Sequence, residues 1–302
     1  MSERKEFLVK KEEEGSRLDQ FLVEKIASVS RTWIKKLIED KKVLVNNQPT
    51  KAHHKVRYRE RIEVEESPPK TIDLIPEKKD LEIIYEDDEI LVINKPAGLL
   101  VHPAGKRTTG TLANILAFYF GQLPSLGDRK RLGIVHRLDE GTSGIMVIAK
   151  TEDSLRNISE QFEKREVKKE YLALVKGRME LDEGRIDFPL GRHQLKRQRM
   201  AVRYTVSRAA ETYWKVIERF KYSTLVALTP KTGRTHQLRV HLAHLGHPIL
   251  GDKEYGIKAK IDHQALCAYY LGFRHPKTHK FIEFKIELPN DFKKLIDGER
   301  LK

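Results

Sequence analysis

Apolar residues in the first part of the chain recur at helical spacing and then at alternating spacing. One helical stripe consists of Leu18, Phe21, Leu22 and Ile26. Ser30 is placed to cap a second helix, whose apolar stripe consists of Trp33, Ile34, Leu37 and Ile38. The alternating segment VLVNN, a turn at Asn46–Pro49 and the segment RIEVEE then predict short strands. We therefore expect a small α/β module.

Strand and helix patterns alternate from Leu81 onward. Strands are predicted at LEIIYEDD, EILVINK, LLVHP, GIMVIAK, EYLALVKG, TYWKVIERF and STLVALTP. Helices are predicted from Thr111 to Phe120, from Thr151 onward, and from Thr235 to Leu245. Because several strands follow one another with few helices between them, we expect an α+β domain around a mixed, mostly antiparallel sheet.

A polar stretch rich in proline separates these two regions. Residues 67–80 read SPPKTIDLIPEKKD and contain three of the twelve prolines in the chain. Such a composition favours a linker. The sequence therefore predicts a small module over residues 1–66, a linker over 67–80 and a larger domain over 81–302.

The overall charge indicates a polyanionic partner. The 302 residues carry a formal net charge of +14, and charged residues make up 34% of them. Lysine and arginine side chains that neutralise phosphates release condensed counterions, which favours binding to nucleic acid. An ordinary, well-solvated surface is the alternative explanation.

The sequence argues against a membrane protein and against a disulfide-stapled one. No apolar run approaches the roughly 18 residues that a transmembrane helix needs, and the charged start MSERKEFLVKKEEEGS contains no signal-peptide core. The single cysteine, Cys267, excludes an internal disulfide and a multi-cysteine zinc site. We therefore expect a cytoplasmic protein with no membrane partner.

Two basic segments are candidates for RNA contact. Ten basic residues lie between Arg31 and Arg61, against three acids, and the candidates on the second predicted helix are Arg31, Lys35 and Lys36. Seven basic residues and one acid lie between Arg185 and Arg208. This second segment predicts an RNA-binding loop or hairpin, with candidate contacts at Arg192, Arg197 and Arg199. The respective alternatives are a solvated helix face and a disordered surface loop.

The densest polar cluster is HRLDEGTSG, residues 136–144, directly before the predicted strand GIMVIAK. Its Asp139 is open to a structural interpretation, since Asp and Ser favour turns, and to a catalytic one. The spacing does not match the nucleophile elbow of serine hydrolases. The chain also lacks a phosphate-binding loop followed by Lys-Ser/Thr and a glycine-rich dinucleotide fingerprint.

A second polar cluster spans Thr232–His241. Arg234 lies at the mouth of the predicted helix, where its side chain can face a carboxylate across a cleft. Four histidines occur in and after this cluster, but their spacing does not place three of them on one helical face. We therefore expect no metal site here.

The N-terminal module resembles a known RNA-binding domain. The segments SRLDQFLVEKI and SRTWIKKLIEDKKVLVNNQPTK are similar to the small domain named after ribosomal small-subunit protein four. The shared features are an Arg-Leu-Asp opening, a Ser-Arg helix start and a Val-x-Val-Asn turn. The resemblance covers residues 15–66 and implies RNA binding.

Residues 81–290 resemble the RluA/RluD-like family of pseudouridine synthases. Five blocks occur in the family's order: EDDEILVINKPAGLLVHP, GIVHRLDEGTSGIMVIAKT, KEYLALVKG, TPKTGRTHQLRVHLAHLGHPILGD and QALCAYYLGFRHPKTHK. In the last block Cys267 stands where the family often has histidine. The resemblance implies the pseudouridine synthase fold and an isomerase that converts uridine to pseudouridine. It implies no cofactor and no metal, because this isomerisation needs neither redox chemistry nor group activation.

The resemblance also implies roles for individual residues. Asp139 corresponds to the nucleophile, and Arg234 to the arginine whose charge keeps that carboxylate ionised. Tyr171 corresponds to the tyrosine that stacks on the target base, and it is a candidate for moving the C5 proton. Arg137 corresponds to the residue that helps expel the target nucleotide from the RNA stack, and Leu238 is expected to line the base pocket. Whether Asp139 attacks the sugar or the base is left open.

Relatives that carry the same N-terminal module indicate large-subunit ribosomal RNA as the substrate, with transfer RNA as the second choice. A non-catalytic RNA-binding or ribosome-assembly factor is the main alternative function. The set of Asp139, Tyr171 and Arg234 argues against it, because a protein that only binds RNA has no need of these residues. A methyltransferase is disfavoured by the missing cofactor loop. We expect the protein to be monomeric.

Overall fold

The computed structural model describes residues 3–26, 31–66, 74–105, 107–121, 132–196 and 199–302. They form two compact units, an N-terminal unit that contains the described residues up to Leu74 together with Leu132, and a C-terminal unit of residues 75–105, 107–121, 133–196 and 199–302. The boundary falls inside the predicted linker, of which residues 67–73 lie outside the described ranges. The rest of that stretch is attached to the C-terminal unit: Asn114 Nδ2 donates to the Ile75 carbonyl at 2.9 Å, and the Glu77 amide to the Asn114 carbonyl at 3.0 Å.

The N-terminal unit combines two helices with a four-stranded antiparallel sheet in the part that the structure describes. The helices are α1 (Leu18–Lys25) and α2 (Arg31–Glu39). The strands are β1 (Glu3–Leu8), β2 (Val43–Val45), β3 (Gln48–Pro49) and β4 (Arg61–Glu66), in the order β1-β4-β2-β3.

The two predicted apolar stripes form the core of this unit. Both pack against the inner side chains of β2 and β4, and the fully buried members of the cluster are Leu18, Leu22, Ile34, Val43, Val56, Ile62 and Val64. The predicted turn between β2 and β3 contains Asn46 and Asn47, both with left-handed φ (49° and 64°), a conformation that asparagine tolerates. The predicted helices are confirmed, and the turn predicted at Asn46–Pro49 is limited to Asn46 and Asn47 because Gln48–Pro49 form β3. The cap residue Ser30 lies outside the described residues.

The C-terminal unit contains a nine-stranded sheet and a separate two-stranded hairpin among its described residues. The strands are β5 (Glu82–Glu86), β6 (Ile90–Lys95), β7 (Ser143–Ala149), β8 (Lys168–Lys176), β9 (Glu183–Ile186), β10 (Leu190–Arg192), β11 (Met200–Val202), β12 (Thr212–Arg219), β13 (Ser223–Pro230), β14 (Leu266–Arg274) and β15 (Phe281–Lys285). The sheet order is β5-β6-β7-β14-β8-β13-β12-β9, with β15 beside β14, and β10 pairs with β11. The pair β7–β14 is parallel and the other pairs are antiparallel, which confirms the predicted mixed, mostly antiparallel sheet.

The helices of the C-terminal unit are α3 (Leu112–Phe120), α4 (Glu152–Glu163), α5 (Gln237–His244) and α6 (Asn290–Arg300). Two begin at the predicted starts, where the threonine side chains act as caps: Thr111 Oγ1 accepts from the Asn114 amide at 3.4 Å, and Thr151 Oγ1 from the Ser154 amide at 3.2 Å. In the part of the chain that the structure describes, no helix has both the length and the apolar character needed to cross a bilayer.

Two large apolar clusters among the described residues of the C-terminal unit share β14. Apolar side chains of β8, β13, α5 and α6 form one cluster, and those of β6, β7 and α4 form the other. The strands that flank the predicted catalytic loop are therefore held by packing along their length.

Two predicted elements differ from the structure. In the segment LLVHP, Leu100 forms an isolated bridge to Thr111, and the described segment contains no regular strand. Helix α5 begins at Gln237 rather than at Thr235, because His236 has a left-handed φ of 56° that is incompatible with a right-handed helix.

Candidate active site

Asp139 lies in the loop that leads into β7. The Thr142 amide donates to the Asp139 carbonyl at 3.0 Å, and Gln264 Nε2 donates to Thr142 Oγ1 at 3.0 Å. The neighbouring Leu138 is 4% exposed and anchors the loop in the core. The Asp139 side chain remains 19% exposed and lines a cleft. The loop is thus fixed on both sides of the carboxylate that it presents.

Lys95, the last residue of β6, also fixes the loop that contains Asp139. Its side chain is fully buried, and Nζ donates to the carbonyls of Pro96 at 2.8 Å, Leu99 at 2.9 Å and Glu140 at 3.3 Å. Burial lowers the pKa of Lys95 to about 7, although the charges of Asp139 and Glu140 work in the opposite direction. The Lys-Pro-Ala-Gly turn therefore acts as a support for the Asp139 loop.

Gly144, the second residue of β7, allows β14 to approach the loop closely. Its φ is 123°, and a Cβ at this position would lie 2.3 Å from the Ala268 carbonyl oxygen. The parallel pairing of β7 and β14 occurs at this point, with Gly144 opposite Ala268. A side chain would separate the two strands beside the catalytic loop.

Arg239, in the first turn of α5, is a charged partner of Asp139. Its Nη1 donates to Asp139 Oδ2 at 3.2 Å, while Nε and Nη2 bond to the two oxygens of Asp252 at 2.7 and 2.8 Å. Nη2 also donates to Glu254 Oε2 at 3.0 Å. Burial of Asp252 opposes its ionisation, but the hydrogen bonds from Arg239 outweigh burial and lower the pKa of this carboxyl group. Because Asp252 engages two nitrogens in a fork, the remaining Nη1 is held toward Asp139.

Arg234 does not form the expected ion pair with Asp139. Its Nε donates to the Ala209 carbonyl at 3.1 Å, and Arg239 forms the ion pair with Asp139. The expectation of an Arg234–Asp139 pair was therefore wrong. The physical reason is a tertiary contact: Asp252 holds the guanidinium of Arg239, in the first turn of α5, toward Asp139, whereas Arg234 lies in the preceding loop. Arg234 lines the same cleft, and its contribution to catalysis stays a prediction.

The loop before α5 is fixed by the buried amide of Gln237. Its Oε1 accepts from Thr232 Oγ1 at 2.7 Å and from the Arg234 amide at 3.0 Å. Its Nε2 donates to the Glu211 carbonyl at 2.9 Å and to Thr212 Oγ1 at 3.0 Å. This network attaches the cleft-lining loop to the start of β12.

The cleft beside Asp139 is open to solvent and has a cavity volume of about 130 Å³. Tyr171, Leu238, Arg137 and Arg234 line it together with Asp139, so five of the predicted site residues meet in one place. Burial, and after it the negative charge of Asp139, raises the pKa of the Tyr171 hydroxyl, which therefore stays protonated at neutral pH. Leu238 is buried and Arg137 is exposed. The cleft thus presents a carboxylate, an aromatic ring and an exposed guanidinium group.

The candidate RNA contacts of the N-terminal unit surround a buried carboxylate. Asp19 bonds to Arg17 at 3.0 Å and to Arg31 at 2.9 Å, with Lys35 Nζ at 3.8 Å. Burial opposes ionisation of Asp19, but the hydrogen bonds from Arg17 and Arg31 outweigh it and lower the pKa to about 2. Arg31 and Lys35 remain 45% exposed, and Lys36 is exposed on the same helix. RNA contact by these residues stays a prediction.

The basic segment between Arg185 and Arg208 contains the β10–β11 hairpin. A hairpin was one of the two forms predicted for this segment. Arg192 ends β10 and is exposed, whereas Arg199 directly precedes β11 and is half-buried. Arg197 lies outside the described residues. The hairpin packs against α5 through a small apolar cluster that includes Leu190 and Val240.

The fold and the cleft define a class of RNA-modifying enzyme. The model of the RNA pseudouridylate synthase family matches residues 89–244, and that of the S4 domain matches residues 16–62. Since the first match spans more than half of the chain, the chain belongs to the RNA pseudouridylate synthase family. It is an isomerase that acts on RNA.

Individual relatives extend over nearly the whole chain. An uncharacterized RNA pseudouridine synthase of Aquifex aeolicus is 44% identical, over 97% of this chain and 96% of the relative. Ribosomal large subunit pseudouridine synthase D of Salmonella typhimurium is 39% identical, over 95% of this chain and 91% of the relative. The solved structure of human RNA Pseudouridylate Synthase Domain Containing 4 superposes with a TM-score of 0.59 at 28% identity, covering 72% of this chain and 93% of that one. The predicted fold class and family are thereby confirmed.

Three cleft or support residues were not singled out from the sequence. Lys95 and Arg239 both stand in the recognised blocks, but nothing in their spacing shows that one is buried under the loop and the other bonded to Asp139. Lys169 also lines the cleft, and burial lowers its pKa. Its position two residues before Tyr171 on β8 places both side chains on one face of the strand, which is a signal that could have been used.

Proposed function

We propose that this enzyme converts uridine to pseudouridine in large-subunit ribosomal RNA, with Asp139 as its nucleophile. The observation that carries the proposal is the ion pair between Asp139 and Arg239, which lies at an open cleft and is backed by the fully buried Asp252. A carboxylate that is charged, oriented and partly removed from water meets the requirements of covalent catalysis.

The chemistry of the isomerisation suits a carboxylate at this place. The N1–C1′ bond must break, the uracil must turn, and a C5–C1′ bond must form. Positive charge develops on the sugar when the base departs, and a carboxylate can stabilise or capture it, as in retaining glycosidases. Asp139 Oδ2 accepts a hydrogen bond from Arg239, whereas His236 Nε2 is 4.0 Å from Oδ1. We therefore assign Oδ1 as the attacking oxygen.

Tyr171 supplies the wall of the cleft against which the uracil stacks. Because the raised pKa keeps its hydroxyl protonated at neutral pH, we assign it as a stacking surface and a hydrogen-bond donor. Removal of the C5 proton by the Tyr171 oxygen is disfavoured for the same reason, since a protonated hydroxyl is a poor base.

The choice of ribosomal RNA rests on the relatives and on the basic surfaces. A relative that is 39% identical over most of both chains is named ribosomal large subunit pseudouridine synthase D. The S4 domain presents Arg31, Lys35 and Lys36, and the hairpin presents Arg192, as groups that can bind phosphates. The cytoplasmic location and the monomeric state stay predictions.

Pseudouridine mapping in cells that lack the gene tests the proposal. We expect one or more pseudouridines of the large-subunit ribosomal RNA to disappear, to return with the wild-type gene, and to stay absent with Asp139→Asn. The matched control is Asp153→Asn, since the Asp153 side chain on α4 is 97% exposed. Loss of modification in transfer RNA alone would contradict the substrate, and restoration by Asp139→Asn would contradict the nucleophile.

A further inference from the structure

Tyr255 lies in the short segment that follows Asp252 and contacts two residues around Asp139. Its amide donates to Asp252 Oδ1 at 3.1 Å, which fixes the backbone of the segment. The Arg239 guanidinium lies over the Tyr255 ring, 5.0 Å from its centroid, and the His236 ring meets it edge-on at 5.6 Å. The sequence analysis assigned no role to this tyrosine.

The Tyr255 hydroxyl has two hydrogen-bond partners. The Met200 amide, the first of β11, donates to the hydroxyl oxygen at 2.8 Å. His236 Nδ1 lies 2.9 Å from the same oxygen. Since a backbone N–H can only donate, the hydroxyl oxygen accepts from Met200, and of its two partners only His236 Nδ1 can accept the hydroxyl proton.

This pairing favours one tautomer of His236, the one in which Nδ1 is unprotonated and accepts from Tyr255. Burial lowers the pKa of the imidazole, so the ring is neutral at neutral pH even though the charges of Asp139, Glu254 and Asp252 work in the opposite direction. A neutral ring whose Nδ1 accepts a hydrogen bond carries its proton on Nε2. Glu254 Oε2 is also 3.4 Å from Nδ1, but Arg239 Nη2 binds that oxygen at 3.0 Å.

The protonated nitrogen of His236 faces the proposed nucleophile. Nε2 is 4.0 Å from Asp139 Oδ1, the oxygen that Arg239 does not bind. A movement of about 1 Å would bring the two atoms to hydrogen-bond distance. His236 also has a left-handed φ of 56°, which is costly for a residue other than glycine and often accompanies function.

We propose that Tyr255 is a positioning residue that holds His236 in its Nε2–H form, so that this N–H is directed at Asp139 Oδ1. Tyr255 acts through His236 and does not touch the RNA. Because the Tyr255 hydroxyl also bonds to the Met200 amide, Tyr255 connects the β10–β11 hairpin to the residues around Asp139. The proposal rests on the proposed function only where it treats Asp139 as the nucleophile.

Nitrogen chemical shifts of histidine in the free, isotope-labelled enzyme test the tautomer directly. The twelve histidines give overlapping signals, and the signal that His236→Gln removes identifies His236. We expect the Nε2–H tautomer in the wild type and a mixture of tautomers in Tyr255→Phe, which keeps the ring but loses the hydroxyl. An unchanged tautomer in Tyr255→Phe would overturn the proposal, whatever the role of Asp139.

Kinetics then test whether the tautomer matters. We expect Tyr255→Phe to lower kcat about tenfold with little change in KM, because the contact is made through a positioned group and not through RNA binding. His236→Gln offers an amide N–H in place of Nε2–H, and adding Tyr255→Phe to it should cause no further loss. The control is Tyr222→Phe, whose side chain is 58% exposed and lies outside the cleft lining.

Two kinetic results would contradict the proposal. One is a Tyr255→Phe variant with wild-type kcat, and the other is full additivity of the two substitutions, which would show that Tyr255 does not act through His236. An inactive Asp139→Asn together with an unchanged tautomer in Tyr255→Phe would leave the proposed function standing and remove this inference alone. Thermal unfolding of Tyr255→Phe within about 2 °C of the wild type excludes a loss of fold as the cause.

Discussion

Each unit of this enzyme contains an ion pair between a carboxylate and arginine. The arginines are the more exposed partners in the N-terminal unit, and the carboxylate is the more exposed partner in the C-terminal unit. In the N-terminal unit Asp19 is fully buried, while its partners Arg17 and Arg31 are 41% and 45% exposed. In the C-terminal unit Arg239 is 7% exposed and its partner Asp139 is 19% exposed. In each case the more exposed group is the one available to RNA. We infer from the comparison that Asp19 positions arginines that we propose to contact phosphate, whereas Arg239 positions the carboxylate that we propose as the nucleophile.

The largest effect is expected from Arg239→Ala. This substitution leaves Asp252 buried without its partner, so the free energy of unfolding of the C-terminal unit should fall by about 3–5 kcal/mol. Turnover should fall at least about 100-fold, because Asp139 loses a preorganised donor. The chain has one tryptophan in each unit, Trp33 and Trp214. Denaturant unfolding in a Trp33→Phe background therefore reports on the C-terminal unit through Trp214.

Arg234→Ala is the matched control for Arg239→Ala. Arg234 lines the same cleft, but its side chain is half-buried and bonds to the Ala209 carbonyl. We expect a stability loss of about 1 kcal/mol. Equal losses of stability in the two variants would contradict the assignment of Arg239, instead of Arg234, as the partner of Asp139.

An intermediate effect is expected from Asp19→Asn. The pKa of Asp19 is lowered from 3.8 to about 2, so its ionised form contributes on the order of 2 kcal/mol to the N-terminal unit. Because this pKa is lowered, the contribution is present above about pH 4 and is lost as the pH falls toward 2. Trp33 fluorescence in a Trp214→Phe background should show both the loss in Asp19→Asn and the pH dependence in the wild type. Stability of this unit that is independent of pH below 4 would contradict the role of Asp19.

The smallest effect is expected from Arg31→Ala. Loss of one phosphate contact should weaken RNA binding severalfold and reduce the slope of log affinity against log salt by about 1, with kcat unchanged. The control is Lys164→Ala, since Lys164 is exposed on α4 and pairs with Glu160. A slope equal to that of the wild type would show that Arg31 does not contact phosphate.

Local patterns were sufficient to predict much of the fold. The caps Thr111 and Thr151 were recognisable because a hydroxyl before an apolar period satisfies the free amides of a helix start. The strand GIMVIAK was recognisable as a short apolar run with a β-branched residue. The start of α5 was not predictable in this way, because no local pattern shows that His236 adopts the left-handed backbone that delays the start of the helix.

The candidate site was predictable only in part. Family blocks pointed to Asp139, Tyr171 and Leu238, and the structure brings these three together in one cleft. The arginine was misassigned because the blocks do not say which basic residue faces Asp139. That choice depends on Asp252, which lies 13 residues after Arg239 and binds its guanidinium in a fork. A contact between residues that only the tertiary structure brings together leaves no periodic signal in the sequence.

Single-turnover kinetics of Asp139→Asn on a transcript of large-subunit ribosomal RNA test the central claim most directly. Arg239 keeps Asp252 and Glu254 as partners in this variant, so folding and RNA affinity should stay close to those of the wild type. We predict that pseudouridine formation is abolished at enzyme concentrations that saturate the RNA. Pseudouridine formation at the wild-type rate by RNA-bound Asp139→Asn would contradict the assignment of Asp139 as the nucleophile.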